Sequence, residues 1–193
     1  TSYVIDQGLG ALFKVDIQTG NRVIISDATT GTGTNFSGPY GIIINSSETT
    51  AYVADAFLSA ILAVDLVSGD RTIISDSSTG AGTNFLSPDK IILNSAQNTA
   101  YIIDSAENAI FSLDIVTGNR TVISKLGTKG AGPDFSGMNE IRLNSTETTA
   151  FIADEGSSAL FSVEIETGDR VSISDSSTGA GVDFSGPSSL AIN

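Results

Sequence analysis

One unit of about 49 residues is written four times along this chain, and that repetition constrains the fold more than any single residue does. The copies open as TSYVID, TAYVAD, TAYIID and TAFIAD at Tyr3, Tyr52, Tyr101 and Phe151, spaced by 49, 49 and 50 residues. The register continues through KVDIQTGNR, AVDLVSGDR, SLDIVTGNR and SVEIETGDR, then through NFSGPYGIIIN, NFLSPDKIILN, DFSGMNEIRLN and DFSGPSSLAIN. A fixed period of this size marks one supersecondary unit stacked on copies of itself. The units fall at about 1–49, 50–98, 99–148 and 149–193, together one domain.

Each unit holds four short β-runs. In one blade, which straddles the first and second units, these are expected at Gly41–Asn45, Ala51–Ala54, Ile61–Leu66 and Arg71–Ser75. Val, Ile, Leu, Tyr and Thr dominate them, as a packed pleated surface requires. Near-continuous apolar runs imply sheets covered on both faces. No window shows a 3.6-residue apolar period, so little or no helix is expected. The expectation is an all-β chain, a β-propeller of four four-stranded blades.

Three shared features read as structural. Gly20, Gly69, Gly118 and Gly168 suit tight hairpins needing positive φ, and the Arg two residues on (Arg22, Arg71, Arg120, Arg170) reads as strand-pairing chemistry with Asp16, Asp65, Asp114 or Glu164. The Gly-, Ser- and Thr-rich linkers carry one aromatic each, Phe36, Phe85, Phe135 and Phe184, expected as plugs between blades. Asn45, Asn94, Asn144 and Asn193 end the inner strands and read as turn caps.

Composition excludes several chemistries. Without Cys there is no disulfide, thiol nucleophile or thiolate metal site, and without His no Ser-His-Asp triad or His-zinc centre. A net charge of −13 repels phosphate backbones, so nucleic acid is not an expected partner. No run approaches the length of a membrane helix, so no membrane insertion is expected. The acidity fits an extracellular or periplasmic setting. The chain opens at Thr1 inside a strand pattern and stops on an inner strand, which fits a processed chain or a piece of a longer array. If Leu190–Ile192 pairs beside Tyr3–Ile5, the two ends complete one blade. A lone four-bladed ring is tightly splayed, so a larger ring is expected, either an eight-bladed homodimer or one completed by further repeats.

The pattern P-x-G-I-x-I-N, a turn, A-Y-V-A-D, then A-I-x-x-V-D-x-x-T-G resembles the NHL-type propeller repeat and the SMP-30/gluconolactonase and strictosidine synthase-like propellers. The resemblance implies that Asp6, Asp55, Asp104 and Asp154 tie the following turn to the backbone. Enzymes of that group hold a divalent cation with oxygen ligands, which would place calcium on Asp89, Asn139 and Glu140. The matching positions Tyr40 and Ser188 in copies one and four carry no acid, and the histidine dyad of the lactonases is absent.

Shared positions serve packing, so recognition is sought where the copies differ. Those positions are Tyr40, Asp89, Lys90, Asn139, Glu140, Arg142 and Ser188 at the inner-strand entrance, with Phe57 and Leu58 in a neighbouring loop. The leading expectation is a non-enzymatic recognition or scaffold module for a protein, peptide or glycan. The alternatives are a cation-dependent hydrolase or lactonase, and a spacer or adhesion segment of a longer extracellular array.

Overall fold

The computed structural model describes residues 1–192. Among these residues there are fifteen strands and no helix. Blade one has β1 (Ser2–Asp6), β2 (Ala11–Val15) and β3 (Arg22–Ser26); blade two has β4 (Pro39–Ile44), β5 (Thr50–Asp55), β6 (Ala60–Asp65) and β7 (Arg71–Ser75). Blade three has β8 (Pro88–Leu93), β9 (Thr99–Asp104), β10 (Ala109–Asp114) and β11 (Arg120–Lys125). Blade four has β12 (Met138–Leu143), β13 (Thr149–Asp154), β14 (Ala159–Glu164) and β15 (Arg170–Ser174). Each blade is an antiparallel meander in sequence order, and the inner strands β4, β8 and β12 stand side by side. This is the blade arrangement of a β-propeller.

The strands depart from expectation by a residue or two for local reasons. β4 begins at Pro39 because Pro39 pairs with Asp55 across a β-bulge. It ends before Asn45 because the Asn45 side chain leaves the ladder and accepts the Thr49 and Thr50 amides at 2.9 and 3.0 Å. Asn94 and Asn144 cap their turns in the same way. Asn193 lies outside the described residues. The invariant Asp is tied at both ends: the Asp55 carboxylate accepts the Leu58 amide of the following turn and the Ser37 and Gly38 amides of the preceding linker. A buried carboxylate holding three amides is satisfied without a counter-ion.

Three of the four linker aromatics, Phe36, Phe85 and Phe135, plug blade junctions as expected, whereas Phe184 is 43% exposed and joins none of the described clusters, because no further blade packs on its linker among the described residues. Phe85 is buried in a cluster drawn from blades two and three, edge-on to Phe111 at 5.2 Å; Phe135 meets Phe161 likewise at 5.7 Å between blades three and four. Phe36 packs against the cluster joining blades one and two.

The arginines do something other than pair their own hairpin. Asp65 is occupied with its turn, accepting the Val67 and Ser68 amides at 2.8 Å each. Arg71 instead reaches into the linker between blades one and two. Its Nη1 donates to Ser26 Oγ, Asp27 O and Thr30 O, its Nε to Thr34 O and its Nη2 to Asn35 Oδ1. The guanidinium also lies 5.6 Å from the Phe36 ring centroid. Arg120 and Arg170 repeat this in the next two linkers. The conformationally restrained, five-donor fork of arginine suits such a ring of carbonyls. These side chains are therefore latches between blades, with partners 36–46 residues away.

The glycines beside each latch allow close backbone approach. A β-carbon on Gly69 would stand 2.1 Å from Ile25 O, and one on Gly33 1.9 Å from Arg71 O.

Closure within one chain is not made. Leu190–Ile192 belongs to no strand and borders one hollow together with Phe151, Leu160 and Ile173 of blade four. Blade one accordingly has three strands, and the blades form an open arc.

Candidate functional site

Every inner strand of blades two to four begins with a β-bulge. The pairing skips from Pro39 to Gly41, from Pro88 to Lys90 and from Met138 to Glu140. A bulge leaves one residue out of the ladder and re-aims it. The residues left out are Tyr40, Asp89 and Asn139, the positions at which the copies differ. Together they line a hollow of about 310 Å³ with Phe57, Lys90, Ser87, Ser105 and Met138.

The residues after the bulge face the channel instead. Gly41, Lys90, Glu140 and Arg142 line a larger hollow of about 570 Å³, floored by the isoleucines of β4 and β8 and reaching Asn94 and Gln97. Gly41 is needed here for space: a β-carbon would meet Asp89 O at 2.4 Å, so a larger residue would push β4 away from β8. Tyr40 and Lys90 border both hollows and join them into one face.

Charge on this face is partly paired. Arg142 Nη1 bonds Glu140 Oε1 at 2.6 Å and Ile141 O at 2.9 Å. Asn139 Nδ2 donates to Glu155 Oε2 at 2.6 Å. Burial pushes the Asp89 carboxyl above its ordinary range and nearby Asp104 adds to this, while the Ser105 hydroxyl and Lys90 oppose it. Tyr40 and Phe57 expose rings beside these charges, Phe57 at 68% of its surface. The Phe57 ring sits over Gly38, where a β-carbon would come within 2.6 Å of it.

Two expected site residues stand apart. Leu58 is half-buried and contributes its amide to Asp55, so it serves the turn. Ser188 is exposed and borders neither hollow, although the neighbouring Ser189 hydroxyl lies 3.4 Å from Glu140 Oε2. For a cation, Asp89 and Asn139 share the mouth hollow, whereas Glu140 faces the channel and is held by Arg142. Among the described residues no three Asp or Glu side chains stand in a metal-ligating group. This arrangement does not fit a site of three converging oxygens.

Sequence reasoning passed over Gln97, which reaches the channel hollow and accepts the Ser46 amide of the preceding blade at 2.9 Å. Glu147 likewise accepts the Ser95 amide. The signal was present: Glu48, Gln97 and Glu147 share one turn position and a positive φ.

No family model matches the chain, and no curated protein does. Solved structures do resemble it. A chain of a nidogen/laminin complex aligns with TM-score 0.71 at 14% identity over 97% of this chain and 62% of its own. A protein of unknown function from Bacteroides thetaiotaomicron aligns at 0.67 and 11% identity, over 93% of this chain and 48% of its own. Hydrazine synthase of Kuenenia stuttgartiensis aligns at 0.57 and 18%, over 84% and 41%. The chain therefore spans less than two thirds of each. At these identities the likeness establishes the β-propeller fold.

Proposed function

We propose that the chain is a non-enzymatic recognition module of the NHL-like propeller type, which takes a protein, peptide or glycan on the face formed by the two joined hollows. The carrying observation is that three bulges aim the variable residues Tyr40, Asp89 and Asn139 at one point beside the exposed ring of Phe57. Aromatic faces supply area, and Asp89, Lys90 and Asn139 supply directional polar contacts, the mixture found in sites that read shape and hydrogen bonding together. Most shared polar positions are consumed by turn caps, linker ties and latches, so little else on the scaffold is available to a ligand. The reading draws support from a neighbour of the same fold that was solved within a nidogen/laminin complex.

The test screens the chain against peptide and glycan libraries, with the Tyr40→Ala/Phe57→Ala double variant in parallel. Ligands lost in the variant support the reading; ligands bound equally by both overturn it. Calcium is titrated in the same preparation. A calcium-dependent rise in melting temperature together with lactone hydrolysis would replace the recognition reading with the hydrolase. Absence of any ligand would leave the spacer or adhesion role as the better account.

A further inference from the structure

The inner strands carry charges that the repeat does not call for. Arg142 stands on β12 where blades two and three place Ile43 and Ile92, and Lys90 stands on β8 where the neighbouring inner strands place Gly41 and Glu140. Lys90, Glu140 and Arg142 are the charged side chains that line the channel hollow of about 570 Å³. Two cations against one carboxylate leave this hollow with a net positive charge, in a chain of net charge −13. Asp89 borders the mouth hollow instead and forms no ion pair with Lys90. All of these residues belong to blades two, three and four, which are complete four-stranded sheets.

The unfilled side-chain groups of the hollow are chiefly donors. Arg142 uses only Nη1, which bonds Glu140 Oε1 and Ile141 O, so the Nε–Nη2 edge of its guanidinium has no partner among the described residues. Its side chain is 42% exposed against 18% for Glu140; the carboxylate steadies a guanidinium that a ligand can still reach. Lys90 Nζ has no ion-pair partner among the described residues. Gln97 gives its side-chain oxygen to the Ser46 amide and keeps its Nε2 donors. The oxygens nearby are engaged: Asn94 Oδ1 accepts the Asn98 and Thr99 amides, and Glu140 Oε1 accepts Arg142 and the Ile141 amide. Open cationic donors above a floor of isoleucines suit a ligand that is anionic at one point and apolar beside it.

We propose, on the recognition role given above, that the channel hollow takes one acidic side chain of a partner peptide. Lys90 and Arg142 hold its carboxylate, and an adjoining aliphatic side chain lies on the isoleucines of β4 and β8. One carboxylate matches the one net charge of the hollow, whereas a phosphate dianion exceeds it inside an acidic chain. Cationic side chains are the groups that read acidic motifs, and the open edge of a guanidinium is a fork for a carboxylate; chain-terminal carboxylates are captured by nests of backbone amides instead. A sugar turns hydroxyls outward on every side and needs acceptors as well as donors, which the engaged oxygens of this hollow do not offer.

A peptide array tests this on the full chain. Capped peptides, randomised except for a central Asp or Glu, are compared with sets carrying a central Asn, Gln, Lys or phosphoserine, with a set having free chain ends, and with an oligouronate. The acidic sets are expected to retain the chain, the best of them binding about tenfold or more above its amide counterpart. Lys90→Met and Arg142→Met should each abolish most of that preference with circular dichroism unchanged. Lys90→Glu should turn the preference toward the central Lys set, a gain that a misfolded variant cannot produce. Acidic and amide peptides bound alike, yet lost in Tyr40→Ala/Phe57→Ala, overturn the acidic assignment while the recognition role stands. Strongest binding by phosphoserine, by a free chain end or by the oligouronate overturns it in favour of that ligand. Retention of no probe overturns it together with the recognition role.

Discussion

Replacing Arg120 probes one of the three arginine latches between blades. The side chain is 5% exposed and makes five hydrogen bonds of 3.0 Å or less, to Ser75 Oγ, Asp76 O, Thr79 O, Thr83 O and Asn84 Oδ1. Charge-assisted bonds contribute about 1.5–3 kcal/mol each in isolation. Their simple sum overshoots, because the guanidinium is itself desolvated and water can reach some of the carbonyls once it is gone. Removing one partner of a buried charged network costs about 3–5 kcal/mol, and that is the expected loss for Arg120→Ala. Arg120→Lys keeps the charge but can serve only one side of the fork, so about half the loss is expected. Because the contact joins two blades, the denaturant slope should fall as the transition loses cooperativity. Urea unfolding followed by circular dichroism measures both quantities. A loss below about 1 kcal/mol for Arg120→Ala, or equal losses for Lys and Ala, would show that the socket does not hold the junction.

Three further outcomes are expected. Gly118→Ala combines a clash at 2.2 Å from Ile74 O with a φ of 72°, and should cost more than about 2 kcal/mol in urea unfolding, whereas Gly20→Ala, whose β-carbon would meet nothing within 4 Å, should cost only the left-handed backbone penalty of about 1 kcal/mol. Phe85→Leu should cost about 1–2 kcal/mol through its edge-on contact with Phe111, and a value near zero would remove the plug role. Burial raises the Asp89 carboxyl, so its stabilising contribution is full below the unfolded value of about 4 and lost as pH rises through the folded value. Asp89→Asn should therefore flatten the fall of stability over that window and leave the protein at least as stable at pH 7. A steeper fall in the variant would contradict the assignment.

The blades were legible in the sequence because their determinants are local. Strand runs, the Asn and Asp turn caps and the hairpin glycines each act on residues within about five positions, so four copies of one pattern expose them directly. Three linker aromatics, Phe36, Phe85 and Phe135, were legible too, since a ring recurring at one linker position gains most area by entering the junction beside it; Phe184, at the same position, stays exposed because that gain needs a neighbouring blade.

The arginines were misread because their neighbours in sequence offered a plausible carboxylate, and only the folded chain shows that carboxylate already occupied by backbone amides. The site was half legible. Variation among copies picked out Tyr40, Asp89 and Asn139, but their convergence depends on three bulges, which arise from pairing between strands and leave no periodic trace. Glu140 and Arg142 were grouped with them because the copies differ there too, yet past the bulge these side chains line the channel hollow.

The sequence by itself determined how many blades there are, where their strands run and which positions repeat, because these rest on short-range hydrogen bonding and side-chain period. Only the tertiary structure decided which residues latch one blade to the next, where the variable side chains meet and that the two ends remain apart. Those are contacts between groups some 40 residues or more from each other, and their geometry is set by how the sheets stack.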